Sequence, residues 1–417
     1  MHSITPPFTL IFAAAVGLTL AVQLWLAQRH VVHVLAHRDV VPAEFASGIS
    51  LAAHQRAADY TVAKTRFGMT EAVVDAALLL ALTLGGALQL VAGVLEGVPA
   101  DYARELLLIG AVALLTGLVG LPFTWRRTFG IEARFGFNQM TRTLFVTDML
   151  KGVLLGVALG VPLVAAILWF IGSAGALWWL WAWLAYCGFQ LLLLVLFPTV
   201  IMPLFNKFTP LSDGPLKSAI ESLLARCGFE AGGLFVMDGS KRSRHSNAFF
   251  SGFGAAKRIV LFDTLIDKLD QAEIEAVLAH ELGHFKRRHI IKRIAVAFAL
   301  SLAFFALLGF LMHQHWFFAG LGVHTQSPAM ALILLAMVLP AFTFLLHPLT
   351  SFSSRKHEFE ADAYAATQTS ATHLISALTK IYNDNAATLT PDPLHSAFYD
   401  SHPPAFIRIG HLKGAAS

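Results

Sequence analysis

Charge is scarce in this chain. Asp, Glu, Lys and Arg make up 13% of its 417 residues, about half the share found in soluble globular proteins. So few charges cannot solvate the whole surface of a domain this long, which excludes an ordinary soluble protein. Cysteine is scarcer still. Cys187 lies in an apolar run and Cys227 in a polar stretch, a pair that supports neither a disulfide framework nor a cysteine-based zinc site. Internal repeats and low-complexity tracts are missing too, so neither a solenoid nor a long linker is expected. The net charge of +4 points to no nucleic-acid partner.

What the chain has instead is apolar length. Hydrophobic residues make up 56% of it, and the mean hydropathy is +0.64. The spacing predicts seven apolar runs, at about 8–27, 72–95, 106–123, 152–172, 175–204, 294–312 and 328–350. Each is long enough to cross ~30 Å of hydrocarbon. The first has no basic stretch before it, so it reads as a retained span and not a cleaved signal. Pro162 and Pro340 fall inside the fourth and seventh runs, where kinks are tolerable. Trp178, Trp179, Trp181 and Trp183 open the fifth run and read as an interfacial belt. The fold class expected is therefore a polytopic α-helical membrane protein.

Basic residues orient it. Of 30 Lys and Arg, 29 fall in the segments 28–70, 124–151, 205–293 and 353–417, which seven spans place on one side. The other side carries Arg104 alone. The positive-inside rule puts the charged segments and the C-terminus in the cytosol and the N-terminus across the membrane. The membrane would be the inner membrane of a bacterium or the endoplasmic reticulum of a eukaryote. Four regions follow. Residues 1–204 carry five spans, 205–293 form a cytosolic domain, 294–352 carry spans six and seven, and 353–417 complete the cytosolic part.

The stretch AEIEAVLAHELGHFKRRHIIKRIAVAF, residues 272–298, organises the cytosolic region. Ile274, Val277, Leu278 and Leu282 form an apolar helical stripe. His280 and His284 stand four apart, so both imidazoles leave one face of the helix. Neutral imidazoles suit Zn²⁺, and Glu281 between them is a carboxylate able to take a proton from an attacking water. With 18 histidines in the chain, an HExxH arises by chance roughly 0.02 times, so an amphipathic helix with surface histidines is the weaker reading. Ala295 lies 11 residues past His284, about 16 Å along a helix at ~1.5 Å per residue. The apolar run starting there puts a metal centre close to the bilayer and implies a membrane-delivered substrate.

Before this helix the pattern reads as a helix at 215–227 and strands at 234–238, 247–253 and 258–263. That is the order of a zincin, a small sheet followed by the active-site helix. An edge strand there can bind an extended peptide through its main chain. A catalytic zinc takes three protein ligands, and the third is sought in SRKHEFEADAYA, 354–365. Glu358 and Asp362 share one helical face. Glu358 is the candidate ligand, and Asp362 the candidate to orient a ligating histidine from behind. The competing reading is a solvated charged helix. Glu360 points elsewhere, His357 competes with Glu358, and His289 falls off the ligand face and reads as surface.

Five segments together resemble the type I CAAX prenyl endopeptidases, the integral-membrane zinc proteases of the a-factor and prelamin A processing kind. They are LPFTWRRTFGIEARFGFNQMT (121–141), IMPLFNKFTPL (201–211), RHSNAFFSGFG (244–254), SRKHEFEADAYA (354–365) and SHPPAFIRI (401–409). The resemblance covers about residues 60–412. Ala133 departs from the acidic residue that many members carry. The resemblance implies a ring of seven helices around an intramembrane chamber, capped by a gluzincin domain. It implies one Zn²⁺ per chain held by His280, His284 and Glu358, with Glu281 as general base and Asp362 behind the ligands. Asn247 and Ala248 would hold the substrate backbone. His402 would assist at the scissile carbonyl, and Arg408 would support the site through a carboxylate. The substrate would be a peptide or protein, prenylated or otherwise membrane-associated. The terminal GAAS carries no CAAX box, so the chain does not read as its own substrate.

Two other readings are weighed. An HtpX-like quality-control protease would cleave misfolded membrane proteins, but such chains have fewer spans and lack the 121–141 and 201–211 similarities. A non-catalytic metal-binding transporter or scaffold would carry ionisable residues within several spans, and only Asp75 and His347 approach that.

Overall fold

The computed structural model of the chain describes residues 7–99, 101–230, 232–251 and 258–416. It opens with α1 (Pro7–Ala36), α2 (Leu51–Leu82), α3 (Ala87–Val94), α4 (Tyr102–Arg126), α5 (Arg142–Ser173), α6 (Trp178–Leu196) and α7 (Met202–Phe205). The polar stretch after the first run is largely helical. α1 runs on to Ala36, and α2 begins at Leu51 with the Ser50 hydroxyl accepting from the Ala53 N–H at 3.2 Å. Arg38 ties the two together through both carboxylate oxygens of Asp59, at 2.8 and 2.9 Å.

Among the described residues, six helical segments are long and apolar enough to span a bilayer. The second run, expected as one span over 72–95, is broken. α2 and α3 meet at a 54° bend because the sequence there is Gly85–Gly86. Gly86 sits at φ +77°, and a Cβ on Gly85 would lie 2.7 Å from the Ala81 carbonyl, so neither position takes a side chain without strain. The tryptophans at the fifth run divide. Trp181 is half exposed, but Trp178 is buried and the Trp183 indole donates to the Phe298 carbonyl at 3.0 Å. Only part of the group therefore fits an interfacial belt.

Helix neighbours run α1 on α2, α2 on α3, then α4, α5, α6, α11, α13 and back to α1, and α13 also packs against α4 and α5 across that circuit. In most spans only 11–17% of the apolar window is buried, too little for helices packed on all sides. One end of the bundle is filled by a core of Leu82, Leu88, Val112, Phe317, Phe318 and Leu334. Towards the other end a cavity of about 650 Å³ opens between α1, α2, α13 and the later α16, lined by Val16, Gln23, Leu79, Asp75, Phe344 and Tyr399 among others.

After α7 comes β1 (Phe208–Pro210), then α8 (Pro215–Arg226), β2 (Leu234–Met237), β3 (Ala248–Ser251), β4 (Arg258–Phe262) and α9 (Asp263–Ile266). The sheet order is β1-β2-β4-β3. β2 and β4 are parallel, and both outer pairs are antiparallel. The strand expected over 247–253 begins at Ala248. Its last two residues, and the end of the RHSNAFFSGFG motif, lie outside the described residues.

α10 (Gln271–Lys286) carries HELGH. α11 (His289–Leu311), α12 (His315–Gly320) and α13 (Pro328–Thr343) follow, then α14 (His347–Gln368), α15 (Ala371–Asp384), α16 (Pro393–Tyr399) and α17 (Ala405–Ala416). The boundaries drawn at 293 and 352 fall inside continuous helices, α11 and α14. The helix of the seventh run does not end at 350. It tightens over Phe344–Leu346, where Pro348 crowds the Phe344 carbonyl and offers it no donor, then continues as α14. A second core packs Ile220, Leu223, Ile259, Leu261, Leu278 and Leu374 between sheet and helices.

Candidate active site

α10 starts from a capping box. The Asp270 carboxylate accepts from the Glu273 N–H, and the Glu273 carboxylate from the Asp270 N–H, each at 2.9 Å. Glu273 is buried and also accepts from Ser376 and Lys380 of α15, both at 2.6 Å. This pins the helix in place and in rotation. Its inner face then meets α14 at close range. A Cβ on Gly283 would lie 2.9 Å from Ala361 Cα, so the glycine inside HELGH is what lets α14 approach.

That approach brings Glu358 to the two histidines. His280 Nε2 and His284 Nε2 stand 3.3 Å apart. Glu358 Oε2 is 3.4 Å from the first, and Glu358 Oε1 is 3.3 Å from the second. Tetrahedral ligands at 2.0–2.1 Å from zinc lie about 3.3–3.4 Å from one another, so the donor set has the size of a zinc site. All three residues are buried, and Glu358 Oε2 has no hydrogen-bond partner. A buried orphan of this kind calls for a cation.

Behind the ligands, His280 Nδ1 lies 2.8 Å from Asp362 Oδ1. Arg408 donates to both Asp362 oxygens, Nε at 2.8 Å and Nη2 at 2.5 Å. Burial alone would push the His280 imidazole down, but Asp362 and Glu358 outweigh it and lift it to about 9. Burial also disfavours charge on Arg408, and the Asp362 bonds overcome that and raise it. His402 is exposed and reaches over the site, with Nε2 3.5 Å from Glu358 Oε2. Glu281 is half-buried between the histidines and within electrostatic reach of His402.

Two family models match the chain. One, described as CAAX prenyl protease N-terminal, five membrane helices, matches residues 30–207, and peptidase family M48 matches residues 210–416. The CAAX prenyl protease 1 homolog of Oryza sativa subsp. japonica is 38% identical over 318 residues, 76% of this chain and 75% of the relative. The homolog of Caenorhabditis elegans is 31% identical over 408 residues, 91% and 92% of the two chains. The crystal structure of S. mikatae Ste24p superposes with a TM-score of 0.89 at 30% identity, covering 97% of this chain and 99% of that one. The chain belongs to the CAAX prenyl protease 1 family. It is a multi-pass membrane metalloendopeptidase, and its substrates are peptides or proteins.

In this family member the sheet edge beside α10 is β3. The Phe262 N–H donates to the Asn247 carbonyl at 3.1 Å, and that parity turns the main-chain groups of Ala248 and Phe250 outward. Asn247 is exposed and stands just before the strand. Its side-chain oxygen accepts from the Ala248 N–H at 2.8 Å. The approach to β3 is strapped to the membrane region. Gln139 donates to the Arg242 carbonyl and Arg244 to the Phe137 carbonyl. Arg242 binds Asp148 of α5, Asn206 and the Phe205 carbonyl. Glu132 accepts from the Tyr60 hydroxyl at 2.5 Å and lies 3.4 Å from His245. The two segments singled out at 121–141 and 201–211 thus meet at the strap, a convergence that spacing alone does not reveal.

His289 differs from its expectation. It is not on the surface but fully buried, with Nδ1 2.9 Å from His284 Nδ1 and Nε2 3.0 Å from Glu360.

Proposed function

We propose that this chain is a zinc endopeptidase that cleaves near the C-terminus of prenylated CAAX-type proteins, or of other membrane-associated proteins, at the cytosolic face. The relatives' names carry the CAAX assignment. The observation that carries the chemistry is the buried His280–His284–Glu358 set at tetrahedral spacing. One Zn²⁺ held there would supply Lewis acidity and an acidified water.

The chain's own residues do the rest. Glu281 takes the proton of the attacking water and returns it to the leaving amine. His402, above the ligands, donates to the developing oxyanion. Asp362 holds the His280 ring through Nδ1, and Arg408 holds Asp362. An extended peptide adds to the outer edge of β3 through Ala248 and Phe250, with Asn247 at the entrance. The apolar part of the substrate occupies the cavity below. A smaller cavity of about 290 Å³ lies nearby. It shares Tyr399 with the large one and is lined by His402. The distribution of 29 of 30 basic residues supports a cytosolic site and an N-terminus on the opposite side.

The test is cleavage of a farnesylated CAAX peptide beside its unprenylated twin. The farnesylated peptide should be cut, and a chelator should abolish cutting. Glu281→Gln should keep its zinc and lose at least a hundredfold in turnover. Equal cleavage of the twins would remove prenyl recognition from the reading, and activity in the Glu281→Gln enzyme would remove the base.

A further inference from the structure

The turn between α10 and α11 has features that the reaction above does not use. Arg288 holds φ +55°, a left-handed conformation that is strained for a residue with a Cβ. It folds the chain back so that His289, five residues beyond His284, lies beneath it. His289 is fully buried. Its ring stacks on His357 at 4.0 Å and 16°. One ring nitrogen faces His284 Nδ1 at 2.9 Å, and the other faces a Glu360 oxygen at 3.0 Å.

Two Nδ1 atoms at hydrogen-bonding distance share one proton, so one donates and the other accepts. A His284 that offers Nε2 to a cation carries its own proton on Nδ1 and must be the donor. His289 therefore accepts at Nδ1 and keeps its proton on Nε2, where the Glu360 carboxylate accepts it. Each atom has one role and none is left over. We infer that His289 and Glu360 are positioning residues, a two-step relay that fixes the tautomer and ring plane of the metal-facing His284.

The relay rests on the zinc reading and extends it. It parallels the other histidine, where Asp362 meets His280 Nδ1 directly. α14 then supplies three carboxylates with three tasks. Glu358 faces the metal position, Asp362 backs one imidazole, and Glu360 backs the other through His289. Glu360 leaves α14 on another face and does not reach His284 itself. The buried imidazole bridges the gap, and the left-handed Arg288 puts it there.

A packing role and a relay role make opposite demands. Packing needs the ring, whereas the relay needs an acceptor opposite His284 Nδ1. The test measures zinc affinity of the full-length chain in detergent by competition with a chromophoric chelator, with melting temperature alongside. His289→Phe keeps the ring and the stack but cannot accept, and should bind zinc about 10- to 100-fold more weakly. His289→Asp loses the ring but offers a carboxylate, and should recover most of that loss. Glu360 is partly exposed, so Glu360→Ala keeps the test open if His289→Phe does not fold, and it should lose about tenfold. Wild-type affinity in His289→Phe or in Glu360→Ala would overturn the relay. A wild-type chain that binds no zinc would instead overturn the zinc reading itself.

Discussion

Asp362 shows how much one side chain can carry. It is fully buried, accepts both donors of Arg408's fork, and meets His280 Nδ1. Removing it strands a guanidinium that is itself buried. Breaking a buried pair from one side costs about 3–5 kcal/mol. Asp362→Ala should therefore lower the melting temperature markedly and weaken zinc by about 10- to 100-fold. An unchanged melt would show that Arg408 finds another partner. At this scale the site was partly legible. The four-residue spacings of His280 with His284, and of Glu358 with Asp362, are helical arithmetic. His289 was not legible, because the same arithmetic at ~100° per residue sets it about 140° round from His284. Only a left-handed residue, which no pattern announces, turns it back.

Between elements, the decisive contact is α10 against α14. At Gly283 the helices come close, with Ala361 Cα and carbonyl oxygen 2.9 and 3.1 Å from where a Cβ would stand. Backbone atoms cannot yield as a flexible side chain would. Gly283→Ala should push the helices apart, cost about 1–3 kcal/mol, and lower zinc occupancy because Glu358 lies three residues from Ala361. Metal content and melting temperature of the purified variant would check both. The spans and the 234–238 and 258–263 strands follow from apolar runs that any hydropathy reading finds. The three-residue β1 is too short to stand out. The bend at Gly85–Gly86 shows in sequence only as two adjacent glycines.

For the whole molecule, the order in which the spanning helices neighbour one another was the least legible feature. Apolar length tells that helices cross a membrane but not which of them touch. That depends on contacts between residues hundreds apart, such as Thr9 with the Gly320 carbonyl and Thr19 with the Ala341 carbonyl. The same long-range closure would make a metal held by His280, His284 and Glu358 a staple between distant segments. At a thousandfold its Kd, a bound ligand adds about 4 kcal/mol to the folded state. Stripping zinc with a chelator should lower the melting temperature by several degrees, and re-addition should restore it. A melt indifferent to chelation would mean that the ion closes no distant contact.

The path of the chain between His284 and Glu358 has a consequence for biosynthesis. The two lie on either side of an excursion through α11 and α13, down into the bilayer and back. If these three residues hold the ion as proposed, a ribosome that has finished the HELGH helix has made only two of its three ligands. The remainder arrives after the last hairpin inserts. With that ligand set, peptide-bond cleavage would be withheld from the nascent polypeptide until integration is complete.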